Sequence, residues 1–387
     1  MKKVYVDNSA TSFPLAPGVS DAIKFFLDEV GCNINRGGYE SSYNTALEIL
    51  NVRKLICELF NFNNPRNVVF TPSLTYSINI ILQGLLKPGD HIITSSMEHN
   101  AVMRPLYELS QKGISYSIAK CSTDGSLDPE RITELISAKT KAVVLLHASN
   151  VCGTILPINE VATICTKQNI KLIVDAAQTA GVLNIDMCHI DALAFTAHKG
   201  MLGPQGLGGF VIKDDLVAKI NPLITGGTGS NSHEIIQPSL MPDKFESGTM
   251  NIPAIIGLKV ALEYLKSVGI DTIFEKEMKL TKKFLSEVKQ IDNVNIIGKH
   301  DIVDRVSAIS LNFEGIDNAS VATTLDYEYG IMTRCGLHCA PNAHKTLGTY
   351  PHGTVRFSFG HFNTFEEIDY IVDAIKNIVS GGLHHGL

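Results

Sequence analysis

Apolar runs rich in β-branched residues recur along the first half of the chain: NVVFT (67–71), HIITS (91–95), ISYSIA (114–119), AVVLLHA (142–148), KLIVDAA (171–177), ALAFTA (192–197) and LGGFVI (207–212). Such runs read as strands buried on both faces. Between several of them the apolar positions recur every three or four residues, as in LTYSINIILQGLL (74–86) and NEVATICTKQN (159–169), which predicts helices. Strands spaced by helices predict an α/β fold on a mostly parallel sheet covered on both faces. Beyond Pro253 the pattern changes. Long helical stretches, AIIGLKVALEYLKSVG (254–269) and FEEIDYIVDAIKNIV (365–379), frame strands at VSAISLNF (306–313) and TVRFSF (354–359). We expect a large domain over residues 15–255, and a smaller α+β domain from residues 1–14 and 256–387. The sequence has no internal repeat and no low-complexity tract.

Ligands of open α/β sheets bind beyond the carboxyl ends of the strands. The apolar runs stop at Ser73 to Thr75, Glu98 and His99, Asn150, Asp175, and Thr196 to Lys199. These positions supply hydroxyls, imidazoles, an amide, a carboxylate and an amine. The amine is the odd one. Lys199 follows His198 in FTAHKGMLGPQGLGGFVI, a stretch with five glycines that otherwise reads as interior.

Bulk properties narrow the classes. A chain of 387 residues with 44% hydrophobic and 19% charged residues has the makeup of a soluble globular protein. A net charge of -6 gives no reason to expect nucleic acid or an anionic membrane surface. Eight cysteines, scattered apart from Cys335 and Cys339, fit reduced thiols rather than a disulfide framework. The N-terminal MKKVYVDNSATSF lacks the apolar segment of a signal peptide, and no apolar run reaches membrane-spanning length. We expect a soluble, cytoplasmic protein.

The segments YVDNSATS, NRGGYESS, MEHNAV, HASNVCGT, VDAAQ, AHKG, FESGTMN, TRCGLHCA and VRFSFGHFNT follow one another over nearly the whole chain. In that order they resemble the class V aminotransferase-like enzymes, and among them the cysteine desulfurase and selenocysteine lyase family in its second, SufS-like branch. The resemblance implies the fold type I of pyridoxal-phosphate (PLP) transferases, with a mostly parallel seven-stranded sheet. It makes Lys199 the residue that binds PLP covalently, a role that needs a neutral amine, which burial and nearby positive charge favour. Asp175 would pair with the pyridinium nitrogen, where a strand-end aspartate would otherwise cap a helix. Gln178, with Asn150, would hydrogen-bond the phenolic oxygen of the ring. His99 would stack on the ring and move protons. Thr75 and the Leu74 N–H, at a strand-to-helix turn suited to an anion, would hold the phosphate with Thr196 and His198. The family commonly has Gly-Thr-Thr where this chain has Ser73-Leu74-Thr75. Thr249 would reach the phosphate of a neighbouring subunit, which implies a homodimer with shared sites.

Arg356 would bind the substrate α-carboxylate, a task suited to a planar bidentate donor, with Asn150 and Arg334 as further substrate contacts. The string TRCGLHCAPNAH resembles an Arg-Thr-Gly-His-His-Cys-Ala segment whose cysteine attacks the substrate sulfur. That makes Cys339 the nucleophile and puts Cys335 in place of a threonine. Thiolate chemistry there would leave a persulfide, a sulfur carrier for an acceptor protein. Cys335, Cys339, His338 and His344 do not follow a familiar zinc spacing, so no metal is expected. The expected activity is PLP-dependent conversion of L-cysteine to L-alanine. Two alternatives stand: a selenocysteine lyase taking L-selenocysteine, and a class V aminotransferase or lyase that does not use Cys339. A non-catalytic binding protein would carry the same motifs without binding PLP.

Overall fold

The structure, a computed structural model, describes residues 2–34, 37–230 and 233–381, so Asn35 and Arg36 of the NRGGYESS segment lie outside the described residues. The strands in chain order are β1 (Val4–Tyr5), β2 (Val68–Thr71), β3 (His91–Ser95), β4 (Ser115–Ala119), β5 (Thr140–Leu146), β6 (Lys171–Asp175), β7 (Ala192–Thr196), β8 (Gly208–Ile212), β9 (Val294–Ile297), β10 (Ala308–Phe313), β11 (Ile331–Met332), β12 (Arg334–Gly336) and β13 (Thr354–Ser358).

The seven apolar runs of the first half form one seven-stranded sheet in the order β2-β8-β7-β6-β5-β3-β4. Its pairings are parallel except those of β8, which runs against both β7 and β2. Alternate residues of one strand enter different cores, as the pleat requires. Val143 and Leu145 of β5 pack with the helices Glu40–Leu59 and Ile252–Val268, while Ala142 and Val144 pack with the helices Leu74–Leu85 and Asn100–Ser110. Both faces are therefore covered, which is why the strands read as unbroken apolar runs. β5 starts and ends two residues earlier than the sequence pattern suggests, because Thr140 already pairs with His91.

Four strands of the second half form an antiparallel sheet in the order β12-β13-β10-β9. Phe284, Phe357 and Phe359 meet in its core, with Val4 and Val6 of the N-terminal segment. That segment joins through β1, which pairs in parallel with β11, and through an isolated bridge between Asp7 and Ser358. The helix Phe365–Val379 opens on a capping box, Thr364 with Glu367, which satisfies two end donors. Among the described residues no helix is long and apolar enough to cross a membrane.

Candidate active site

The ends of β6 and β7 set the lysine and the aspartate side by side. Asp175 closes β6, and its register partner on β7 is Ala194, two residues before the strand ends at Thr196. The two following loops then touch. A Cβ on Gly200 would lie 2.6 Å from Ala180 O, and one on Gly181 would lie 2.4 Å from Gly200 O, so only glycine allows the approach. This is why both VDAAQTAG and AHKG carry a glycine at that point.

Asp175 is buried, and its Oδ1 accepts the Ala177 N–H at 2.9 Å. Burial pushes its carboxyl up, against the pull of that hydrogen bond and of Lys199. Lys199 keeps some accessible surface because it borders a cavity, yet the protein around it desolvates the amine. Burial lowers its pKa to about 8, opposed by Asp175 and reinforced by Arg356 and Arg334. A large share of this amine is therefore neutral near pH 8.

The cavity has a volume of about 240 Å³. Of the residues singled out from the sequence, Lys199, Asp175, Gln178, His99, Asn150 and Arg356 border it, and so do Leu74, Thr75, Thr196, His198 and Arg334. Thr249 borders a separate cavity of about 330 Å³, with Tyr76, Phe245 and Glu246. Cys339 is exposed and does not line the 240 Å³ cavity.

At one end of the cavity the helix Leu74–Leu85 begins, with Ser73 as an N-cap whose side chain makes no capping bond. Gly208 of β8 comes so close that a Cβ there would stand 2.7 Å from Leu74 N. The hydroxyls of Thr75 and Thr196 make no hydrogen bond with any described residue. His198 has a buried, unpaired Nδ1 and is held neutral, its pKa lowered to about 4 by burial and by Lys199.

On one wall stands His99, the N-cap of the helix Asn100–Ser110. Its Nδ1 accepts the Ala101 N–H at 3.0 Å, so the neutral ring carries its proton on Nε2. Burial lowers its pKa to about 4, with Lys199, Arg334, Arg104 and Arg356 acting the same way. Behind it lies Glu98, fully buried, which accepts from Ser95 Oγ at 2.5 Å and from Leu146 N.

Another part of the lining is cationic. Arg356 on β13 is 1% exposed, donates from Nη1 to Asn150 O at 2.8 Å, and is paired through Nη2 with Asp7; its Nε has no partner. Arg334 stands directly across the strand pair from it. Its Nη2 lies 3.7 Å from Cys339 Sγ. The Cys339 loop is pinned from both sides: Asn150 Nδ2 donates to His338 O at 2.8 Å, and Asn100 N donates to Cys339 O at 2.8 Å. His338 and Cys339 both take left-handed backbone angles, φ +47° and +59°, which throws the thiol outward at the rim.

These groups fit PLP. Asp175 is a buried carboxylate in need of a cationic partner, and a cavity-lining lysine stands beside its loop. A free helix N-terminus with two unpartnered hydroxyls suits a phosphate. Gln178 Nε2 gives one N–H to Ser9 O at 3.0 Å, and Asn150 Nδ2 gives one to His338 O, so each keeps a second N–H for a ring oxygen.

Two contributors were not assigned roles from the sequence. Asp7 lies in YVDNSATS, a segment quoted above, but its partner Arg356 is 349 positions away, and no local pattern reports such a pairing. The tie from Asn100 to Cys339 uses backbone atoms alone and leaves no trace in residue identity.

The Aminotransferase class-V family model matches residues 4–371. A probable cysteine desulfurase of Methanothermobacter thermautotrophicus is 31% identical over 98% of this chain and 95% of its own length. A cysteine desulfurase of Haloferax volcanii is 32% identical over 96% of this chain and 88% of its own. Among solved structures, the apo cysteine desulfurase of Thermococcus onnurineus superposes with a TM-score of 0.91 at 30% identity, covering 98% of this chain and 95% of that one. A cysteine desulfurase of Escherichia coli gives 0.87 at 28% identity, with 98% and 95% covered.

Proposed function

The chain belongs to the class-V aminotransferase family, and we propose that it is a PLP-dependent cysteine desulfurase, converting L-cysteine to L-alanine with the sulfur left as a persulfide on Cys339. One observation carries the reading: Lys199, Asp175 and Arg356 border one cavity, and a cysteine is held at its rim beside Arg334.

In this reading Lys199 would hold the cofactor through its amine and Asp175 would pair with the ring nitrogen. Gln178 and Asn150 would serve the ring oxygen, His99 would contact the ring, and Thr75, Leu74 N, Thr196 and His198 would hold the phosphate. When bound, PLP supplies an electron sink for the substrate carbon. Arg356 orients the substrate carboxylate, with its guanidinium already fixed by Asp7 and Asn150 O. Once the substrate amine has taken its place, the freed Lys199 amine would take and return the α-proton, and the His99 Nε2–H stands ready as a donor. Cys339 attacks as thiolate, with the Arg334 guanidinium beside its sulfur. A sulfur–sulfur bond forms as the carbon–sulfur bond of the substrate breaks. The carbon fragment takes up protons and leaves as alanine, and an acceptor thiol or protein later discharges the persulfide.

Thr249 serves a second subunit in this scheme. Its cavity is flanked by exposed apolar side chains, Tyr76 and Ile224, with Ile235, Ile236 and Leu240 nearby in sequence to Ile224 and also exposed, which supports a homodimer. All eight cysteines are free, in keeping with a reducing cytoplasm. The RCGLHCA string supports the second branch of the desulfurase family.

The test is a visible absorption spectrum of the purified protein before and after L-cysteine, with sulfide and alanine assayed in the same tube. The expected result is a yellow protein whose band changes with cysteine as both products appear. A yellow protein that yields neither product sinks L-cysteine as substrate and makes L-selenocysteine the next one to try. A protein that PLP cannot turn yellow overturns the reading.

A further inference from the structure

His338 stands one residue before Cys339 in sequence, borders the 240 Å³ cavity and is buried. Its Nε2 lies 3.0 Å from Thr354 Oγ1, a contact in which either atom could own the shared proton. The groups beyond Thr354 decide. Ser310 Oγ donates to Val151 O at 2.7 Å, and a hydroxyl has one proton, so Ser310 can only accept from Thr354 Oγ1, at 2.8 Å. Thr354 has then spent its own proton and can only accept from His338. The ring therefore carries its proton on Nε2 and a lone pair on Nδ1, which has no hydrogen-bond partner among the described residues. Burial, then Arg356, His344 and Arg334, lower its pKa to about 2, which keeps the ring neutral.

The small sheet places these groups. Ser310 on β10 is the register partner of Arg356 on β13. Thr354, two residues before Arg356, shares its face and is the diagonal neighbour of Ser310. That face meets the loop after β5. Four successive carbonyls of the loop accept from the second half of the protein: Asn150 from Arg356 Nη1, Val151 from Ser310 Oγ, Cys152 from Arg305 Nη2 at 3.2 Å, and Gly153 from Val306 N at 2.8 Å. The hydroxyl chain thus ends on a fixed point. Its other end needs one, because His338 and Cys339 are consecutive residues with left-handed angles, a conformation that residues with side chains rarely adopt even singly. Asn150 and Asn100 hold the two carbonyls, and the ring bond to Thr354 adds a side-chain anchor.

We propose that His338, Thr354 and Ser310 are positioning residues, whose oriented hydrogen bonds from His338 Nε2 to Val151 O hold Cys339 in the turn from which its sulfur meets the substrate. The inference rests on Cys339 as the nucleophile. It leaves His338 no proton to trade, so the ring is an anchor and not an acid or base.

The test is Thr354→Val in the PLP-loaded protein, which keeps the side-chain shape and removes the hydroxyl. The kcat of sulfide release from L-cysteine falls at least about tenfold, while KM and the visible band stay as in the wild type. Thr354→Ser restores kcat. Wild-type kcat in Thr354→Val overturns the proposal. So does a loss of cofactor colour or a raised KM, which would make Thr354 a general support of the fold. Cys339→Ser, run alongside, separates the inference from the reading beneath it. Sulfide release kept in Cys339→Ser sinks the desulfurase reading and the inference with it; release lost there but kept in Thr354→Val sinks the inference alone. Should Thr354→Val fail to fold, nitrogen-15 resonance of labelled histidines in the wild-type protein decides, with His338→Gln identifying the signal. A neutral ring protonated on Nε2 is expected, and a proton on Nδ1 or on both nitrogens overturns the proposal.

Discussion

Asp7 Oδ1 accepts a hydrogen bond from Arg356 Nη2 at 2.5 Å, and this pair sets how much positive charge the cavity offers a substrate. Arg356 and Arg334 lie directly opposite each other on β13 and β12, an arrangement that costs free energy between like charges. Asp7 neutralises one of them. Arg334 keeps its charge beside Cys339 Sγ. In the proposed mechanism the two arginines are thereby divided between a substrate carboxylate and the Cys339 sulfur.

Asp7→Asn leaves the buried Arg356 guanidinium without its counter-ion, and the expected loss of stability is about 3 kcal/mol. A carboxylate ligand replaces the missing charge, so L-alanine raises the unfolding midpoint of the variant more than that of the wild type. Chemical denaturation with and without L-alanine checks both. Equal stability of the two proteins would show that the ion pair does not hold Arg356 in place.

Arg334→Ala removes the cation beside the Cys339 sulfur. The Arg334 guanidinium stands 3.7 Å from that sulfur and borders the cavity, so its loss is expected to lower sulfur release from L-cysteine at least about tenfold while PLP stays bound. Sulfide release and the visible spectrum of the variant, measured side by side, check this. Turnover like that of the wild type would remove Arg334 from the sulfur-transfer step.

Cys339→Ser keeps the geometry of the loop and removes the nucleophile. We expect the PLP colour to persist, because Cys339 does not line the cavity, and sulfur release from L-cysteine to fall at least about a hundredfold. Turnover like that of the wild type would favour a class V aminotransferase or lyase that works without this cysteine.

The strand-end residues were legible because a doubly covered parallel sheet leaves unbroken apolar runs, and the run simply stops where the chemistry begins. Asp175 and Lys199 are found that way. Asp7 was not, since its role comes from a partner across the fold, brought near by the parallel pairing of β1 with β11.

The last prediction concerns Glu98. Burial pushes its carboxyl up to about 8, helped by nearby Asp175 and opposed by hydrogen bonds from Ser95 and Leu146, whereas in the unfolded chain it sits near 4.5. The native state therefore holds this proton between pH 4.5 and 8 while the unfolded chain does not. Its contribution to stability is full below 4.5 and is lost as pH rises toward 8, by at most about 1.4 kcal/mol per pH unit. Glu98→Gln imitates the neutral acid and removes that dependence. Its stability relative to wild type should climb with pH across the window and level off above it, in denaturant unfolding repeated from pH 5 to pH 9. Parallel curves would mean that Glu98 is ionised in the native state. A neutral Glu98 leaves the nearby Asp175 without a second buried anion competing for the same positive charge.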